Sequence, residues 1–216
     1  MLPFTREQFM AVFAVYNAGV WPVQMVAYAL GVGMVALLLR RSRAGSRIVG
    51  LGLGAMWLWT GAVYHWLYLA SINRLALVFG ALFVLQGAIF LRTALRDTIG
   101  FGAAVGRPAW FGWALVIYAA AVYPLLGVWL GHGYAELPMF GITPCPVTIF
   151  TLGLLLLAAG PVSPWMFAIP LLWSVIGGSA AFLLGVAQDW PLLLSGVGVG
   201  LMLLGKGGRL RRPSAT

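Results

Sequence analysis

The feature of this sequence that most limits its fold is a series of long apolar stretches separated by short loops. A helix needs about 20 apolar residues to cross ~30 Å of hydrocarbon. Hydrophobic residues make up 62% of the chain and charged residues only 8%, which leaves too little polar surface for a soluble domain. The sequence therefore predicts an all-α bundle of about seven transmembrane helices, at roughly 21–39, 48–70, 75–92, 110–130, 146–160, 165–186 and 190–205.

The basic residues predict how this bundle is oriented. Arginine is concentrated in RRSRAGSR at 40–47 and in RLRR at 209–212. With the N-terminus outside and the C-terminus inside, every Lys and Arg except Arg6 and Arg74 faces the cytoplasm, where such residues accumulate in short loops. A six-span alternative would make 146–160 a re-entrant segment, which needs protein or a wet cavity around its backbone. That alternative places RLRR outside, so we favour seven spans.

The N-terminal residues form a separate unit in this interpretation. Thr5 and Gln8 have the spacing of a capping box, and Phe4 and Phe9 have that of a hydrophobic staple. The helix they begin, near 5–19, is too short to span a membrane and is expected to lie in the outer interface. The predicted organisation is an interfacial helix at 1–20, a single transmembrane domain at 21–205 and a basic cytoplasmic tail at 206–216.

Charge and composition narrow the partners and cofactors. The net charge of +9 lies in the loops of a membrane protein, which favours anionic lipids at the cytoplasmic face and not nucleic acid. Cys145 is the single cysteine, so an internal disulfide and a multi-cysteine metal cluster are excluded. Glycine-rich runs such as GLGLG at 50–54 and GVGVG at 196–200 indicate close helix packing, because the strand that a dinucleotide loop requires is lacking.

Residues able to carry chemistry fall mainly at the outer level of this topology, which suggests an outward-facing pocket. A neutral imidazole and a thiolate would suit copper(I) or zinc, but two ligands leave the shell incomplete. The identity of any metal or cofactor therefore stays unknown. The candidate pocket residues are His65, Cys145, Tyr64, Tyr68, Arg74, Gln86 and Asp189.

Each of these residues also has a structural interpretation. An ionisable His65 within a span points to function, but a histidine bonded to a tyrosine or a carbonyl is an equal alternative. Cys145 begins a helix beside Pro144 and Pro146, where the helix dipole could activate the thiol, or it packs as a small hydrophobe. Gln86 either lines a path or bridges to a neighbouring helix.

Several blocks carry a resemblance over nearly the whole chain. They are MLPFTREQF at the start, WTGAVYHW at 59–66, INRLALVFGALFVLQGAIF at 72–90 and TPCPVTIFTLG at 143–153. Together they resemble a family of small bacterial multi-pass membrane proteins that is a domain of unknown function. The resemblance implies the bacterial cytoplasmic membrane, and it implies no activity, substrate or catalytic residue.

The function favoured by the sequence is binding or permeation of a small solute or metal ion through the outer pocket. One alternative is a membrane enzyme with Cys145 as nucleophile and His65 or His132 as base, which requires a thiol to imidazole distance of about 3 Å. Another is a structural or assembly subunit without a site. We favour a protein that is not an enzyme, and a second copy of the chain remains open as a partner.

Overall fold

The fold is helical throughout the described part of the chain. A computed structural model describes residues 3–102, 106–131 and 133–210, without the side chains of 107 and 206–210. Two stretches of π-helix occur: Thr60–Tyr68 continues α3, and Tyr118–Val122 joins α5 to α6. The α-helices are α1 Arg6–Gly19, α2 Val23–Arg40, α3 Arg43–Trp59, α4 Ala76–Leu95, α5 Arg107–Ile117, α6 Tyr123–Trp129, α7 Pro144–Leu156, α8 Trp165–Leu184 and α9 Trp190–Leu210.

Five segments of the described chain are long and apolar enough to cross a membrane: Val23–Arg40, Ala76–Leu95, Pro108–Trp129, Trp165–Leu184 and Ala187–Gly205. α3 and α7 are shorter, although α3 runs directly into the first π-helix. All seven stretches chosen from the sequence coincide with helices. The all-α prediction is thus confirmed, while the count of seven crossings and the orientation stay predictions.

α7 is the central helix of the bundle. Every residue from Pro144 to Leu155 is buried, and the helix contacts α3, α5, α8 and α9. A helix that is apolar on all sides has to be surrounded by others in this way. Its hydroxyls are hydrogen-bonded, since the Trp57 indole donates to Thr151 at 2.8 Å and Thr148 donates to the Pro144 carbonyl at 2.8 Å.

Glycines bring two helix pairs into backbone contact. A Cβ built on Gly61 would lie 2.7 Å from the Gly80 carbonyl oxygen, and one on Gly87 would lie 2.9 Å from the Leu58 nitrogen. α5 and α7 meet in the same way at Gly112 and Gly153. Small residues let membrane helices approach closely, as the glycine-rich runs predicted.

α1 lies across one end of the bundle and is held there by its own polar residues. The predicted capping box is present: Thr5 Oγ1 accepts from the Gln8 N–H, and the Thr5 N–H donates to Gln8 Oε1 at 2.9 Å. The predicted Phe4 to Phe9 contact is also present, with ring centroids 5.7 Å apart. At the other end of α1, Asn17 donates to the carbonyls of 135 and 137 at 2.7 and 2.8 Å. The short helix therefore covers the bundle end that it contacts.

Candidate functional site

A cavity of about 400 Å³ lies beneath α1. It is bounded by the first π-helix, the start of α4, the start of α7, the second half of α8 and the turn that precedes α9. Most of its wall is apolar, with Phe4, Phe9 and Phe13 on the α1 side. Cavities of about 300–1,000 Å³ with an apolar wall and a few polar groups are typical of small-molecule sites. The polar residues are therefore the ones that decide what this cavity can bind.

Tyr64 reaches the cavity wall from the π-helix. In this segment Thr60, Gly61, Tyr64 and His65 are all buried, so two consecutive bulky side chains face the protein interior. The Tyr64 ring stacks on Phe13 of α1, with centroids 5.4 Å apart. Its hydroxyl is buried and has no hydrogen-bond partner within the described residues. Single π-helical turns are frequent at functional sites.

Asp189 supplies the carboxyl group of the site. It occupies a short turn directly before α9 and is 3% exposed. The Tyr123 hydroxyl donates to Asp189 Oδ1, and the Cys145 thiol is hydrogen-bonded to the same carboxyl group. Neither partner carries a positive charge. Tyr118, at the start of the second π-helix, fixes the same turn by donating to the Gln188 carbonyl at 2.7 Å.

Cys145 lies at the start of α7, at the bottom of the cavity. Pro144 takes the first helical position, where its missing N–H and fixed φ suit a helix start. The thiol is thereby held between Asp189 and the Trp173 side chain of α8. The Trp173 side chain interacts with this sulfur, although its indole N–H forms no hydrogen bond of regular geometry within the described residues. The Tyr64 hydroxyl therefore remains a buried donor of this site that has no partner among the described residues.

His65 lies behind this wall and does not line the cavity. Its ring is fully buried, and its centroid is 4.8 Å from that of Phe83 and 5.2 Å from that of Trp173. Neither ring nitrogen has a hydrogen-bond partner within the described ranges. The bond to a tyrosine or carbonyl that we considered for His65 is therefore not observed there, and Cys145 pairs with Asp189.

The seven residues chosen from the sequence separate into two groups. Tyr64, Cys145 and Asp189 meet in the cavity. The other four lie elsewhere: His65 is one layer behind, Tyr68 lines a separate groove on the other side of α1, Arg74 is exposed, and Gln86 donates to the Met166 carbonyl at 3.2 Å. Gln86 thus bridges two helices, and His132 falls outside the described residues.

Comparison with known families adds one finding. A family model matches residues 6–213, which is nearly the whole chain. The chain belongs to DUF6064. This is a family of unknown function, as the resemblance of the sequence blocks implied. Comparison of this DUF6064 chain with curated proteins and with solved structures finds no match.

The described residues of the DUF6064 cavity include two side chains of the kinds that commonly bind metals, Cys145 and Asp189. No group of three or more His, Cys, Asp or Glu side chains able to hold a metal ion occurs in the described residues. Cys145 and Asp189 alone would leave a four-coordinate shell half filled.

Two residues that matter in this DUF6064 site were missed in the sequence. Trp173 lies in the middle of the predicted span 165–186 and was not chosen as a candidate. Tyr123, in the predicted span 110–130, was not chosen either. A usable signal was their depth, because an aromatic residue with a polar atom is expected to need a partner when it is buried.

Proposed function

We propose that this DUF6064 protein is a seven-span membrane protein that binds a small, mostly apolar molecule in the cavity beneath α1. The observation that carries the proposal is the combination of an apolar wall with one polar corner, formed by Tyr64, Cys145, Trp173 and Asp189. Binding is the part of the favoured function that this geometry supports.

The arrangement of helix ends supports an outward-facing cavity. The cavity lies where α4 and α7 begin and where α8 ends. The arginine-rich connection from α2 to α3 lies at the opposite end of these helices. Because arginines accumulate on the cytoplasmic side, we place the cavity in the outer half of the bacterial cytoplasmic membrane. Anionic lipid headgroups would then contact the arginine-rich loops.

The packing below the cavity favours binding over permeation. Trp57 and Phe83 stack there with centroids 4.4 Å apart, and His65 packs on Phe83. All three side chains are buried. A solute passing toward the cytoplasm would have to displace this aromatic layer, so the layer acts as the floor of a binding cavity.

The enzyme alternative is less well supported by the geometry. Cys145 contacts Asp189, and His65 lies behind Tyr64 and Trp173 instead of beside the thiol. The pair of cysteine nucleophile and histidine base in that alternative needs the imidazole within hydrogen-bond reach of the sulfur, whereas the side chain that reaches the sulfur here is Asp189. The remaining alternative, a structural subunit without a site, gives no reason for a cavity bordered by Tyr64, whose buried hydroxyl has no partner in the described residues.

A pair of alanine variants tests the proposal. Ala180 lines the cavity, whereas Ala81 is an exposed residue of α4. The protein is purified into lipid nanodiscs, and small molecules retained by each variant are identified by untargeted mass spectrometry. Ala180→Phe should fill the cavity and retain at least about tenfold less of the bound molecule, whereas Ala81→Phe should retain it like the natural protein.

Two results would contradict the proposal. One is a molecule retained equally by Ala180→Phe and by the natural protein, which would place its binding outside the cavity. The other is a natural protein that retains nothing beyond what Ala180→Phe retains. Thermal unfolding of both variants establishes that they are folded before their extracts are compared.

A further inference from the structure

Part of the cavity wall is exposed on the outside of the bundle. Leu75, just before α4, is 59% exposed and Leu183 of α8 is 74% exposed, yet both border the cavity. Ser179, about one helical turn before Leu183, also borders the cavity and is exposed. A residue that lines a cavity and also lies at the surface marks a place where the cavity opens. These three residues therefore mark an opening between α4 and α8, which we call the side mouth.

The side mouth is closed at its two ends. At one end, α4 and α8 meet through Phe79 and Trp173, whose ring centroids are 5.4 Å apart. At the other end, Phe4, just before α1, packs against an apolar cluster that includes Leu184. α8 runs from Trp165 to Leu184, so Trp173 lies near its middle. The side mouth thus extends over the second half of this helix.

Small side chains on α8 keep the side mouth open. The second half of the helix contains the run GGSAA at 177–181. Four of these residues border the cavity: Gly177, Ser179, Ala180 and Ala181. Because protein interiors are otherwise closely packed, a run of such small residues over about one and a half turns leaves space that larger side chains would fill. The opening is therefore a consequence of the sequence of α8.

The surface around the side mouth is of the kind that faces lipid. Both α4 and α8 are long and apolar enough to cross a membrane, and the sequence of α8 contains no charged residue. The residues flanking the opening are apolar and more than half exposed: Leu77, Val78, Val175 and Phe182. Charged and polar groups are costly in hydrocarbon, whereas a surface of this composition is not. The side mouth is therefore suited to open into the hydrocarbon of the bilayer.

α1 covers the cavity on the side away from the membrane. Phe9 and Phe13 of this helix form part of the cavity wall. Tyr16 donates to the Ile142 carbonyl at 2.7 Å, and Asn17 donates to two carbonyls of the loop before α7. A solute arriving from water would have to displace this anchored helix. A molecule dissolved in the bilayer reaches the side mouth by lateral diffusion alone.

We propose that the cavity takes its ligand from the membrane, and that the ligand is a lipid-soluble molecule of the outer leaflet that enters sideways between α4 and α8. This inference rests on the proposed function and adds the class of the ligand and its route. Because such a molecule is already in hydrocarbon, its affinity comes from packing against the aromatic wall and from the polar corner, and not from leaving water. Strongly polar solutes are excluded, since their transfer into hydrocarbon is too costly.

α7 provides a selective place to detect entry. Every residue from Pro144 to Leu155 is buried, and Pro144 and Cys145 border the cavity. The protein in lipid nanodiscs is photolabelled with a diazirine carried on dodecane, which dissolves in lipid, and in parallel with a sulfonated diazirine, which stays in water. Mass spectrometry locates the label, and each probe is normalised to its labelling of exposed residues. The lipid-soluble probe should label residues 143–146 at least about tenfold more than the water-soluble probe.

Tryptophan substitutions test the side mouth itself. Ser179→Trp places a large ring in the opening and should lower labelling of residues 143–146 by the lipid-soluble probe at least about tenfold. Ala168→Trp is the matched control, because Ala168 is an exposed residue of α8 that does not border the cavity. It should be labelled like the natural protein. Leu75→Trp, on the α4 side, is a second variant of the opening, and thermal unfolding establishes that all three variants are folded.

Failure of the route and failure of the proposed function give different results. Equal labelling of residues 143–146 by the two probes would overturn the side mouth, as would unchanged labelling in both Ser179→Trp and Leu75→Trp. Absence of label there from either probe, as expected if a second copy of the chain covered the opening, would also overturn it. None of these results affects retention of a small molecule by the natural protein and its loss in Ala180→Phe. If that retention is not found, the proposed function fails, and this inference fails with it.

Discussion

Two neighbouring tyrosines should respond in opposite ways to loss of their hydroxyl groups. Tyr16 and Tyr64 are both 0% exposed, and their rings meet edge to face with centroids 5.3 Å apart. The Tyr16 hydroxyl donates to the Ile142 carbonyl at 2.7 Å and accepts from the Trp59 indole at 2.9 Å. The Tyr64 hydroxyl has no partner in the described residues. Phenylalanine keeps both rings, so each variant isolates one hydroxyl group.

The expected free energies follow from the hydrogen bonds. A net value of about 0.5–1.5 kcal/mol per hydrogen bond gives about 1–3 kcal/mol of destabilisation for Tyr16→Phe. Membrane-embedded hydrogen bonds average about 0.6 kcal/mol, which puts the expected loss near the lower end of that range. Tyr64→Phe removes a buried group that pairs with nothing, so the ligand-free protein should be unchanged or up to about 1 kcal/mol more stable.

The assay is reversible unfolding of detergent-washed protein in mixed micelles with an increasing fraction of a denaturing detergent. The double variant measures the coupling between the two positions, because residues in contact are not expected to have additive effects. Destabilisation of ligand-free Tyr64→Phe by more than about 1 kcal/mol would show that this hydroxyl has a partner. That result would refute the argument that the polar corner awaits a ligand.

Three further predictions concern packing, access and orientation. Gly87→Ala should lower the free energy of unfolding by about 1–3 kcal/mol, because its Cβ would lie within 3.0 Å of backbone atoms of α3. Gly33→Ala is the control, because its Cβ would have no atom within 4 Å, and it should be neutral or stabilising by about 0.5–1 kcal/mol. Asn17→Ala should raise the rate at which a maleimide alkylates Cys145 about fivefold, because it removes about 1 kcal/mol of hydrogen bonding between α1 and the loop before α7. An unchanged rate would argue against a route for the reagent to Cys145 beneath α1. Reporter fusions in the 93–109 loop and at the C-terminus should show cytoplasmic activity, and periplasmic activity at both would reverse the orientation.

The features that the sequence predicted most accurately are those that depend on interactions between residues close together in the chain. The capping box of Thr5 and Gln8 and the helix start at Pro144 involve residues within one turn of each other. The apolar stretches coincide with helices because length and composition alone make them helical in a bilayer. The glycine-rich runs predicted close packing, although a Cβ on Gly200 of the second run would meet no atom within 4 Å and some of the closest contacts occur at Gly61 and Gly112 outside the runs.

The composition of the site could be predicted only in part, because it depends on which helices are neighbours. Cys145, Tyr64 and Asp189 were chosen for their shared depth, and the structure adds that α7, the first π-helix and the turn before α9 meet there. His65 immediately follows Tyr64, yet its ring packs on Phe83 and Trp173 instead of entering the cavity. The apolar periodicity of a sequence does not specify a π-helical turn, and that turn determines which way these two side chains face.

The two π-helical segments connect the backbone of the fold to the chemistry of its cavity. The first positions Tyr64, and the second places Tyr118 and Tyr123 where their hydroxyls hold the turn that contains Asp189. A π-helical turn sacrifices regular hydrogen bonding, so it persists where the surrounding structure compensates for it. Here the compensation includes close glycine contact at Gly61 and a proline immediately after Tyr123, where a regular helix would be interrupted in any case. Both departures from α-helical geometry therefore serve the same polar corner, which is the arrangement expected if the cavity binds a ligand.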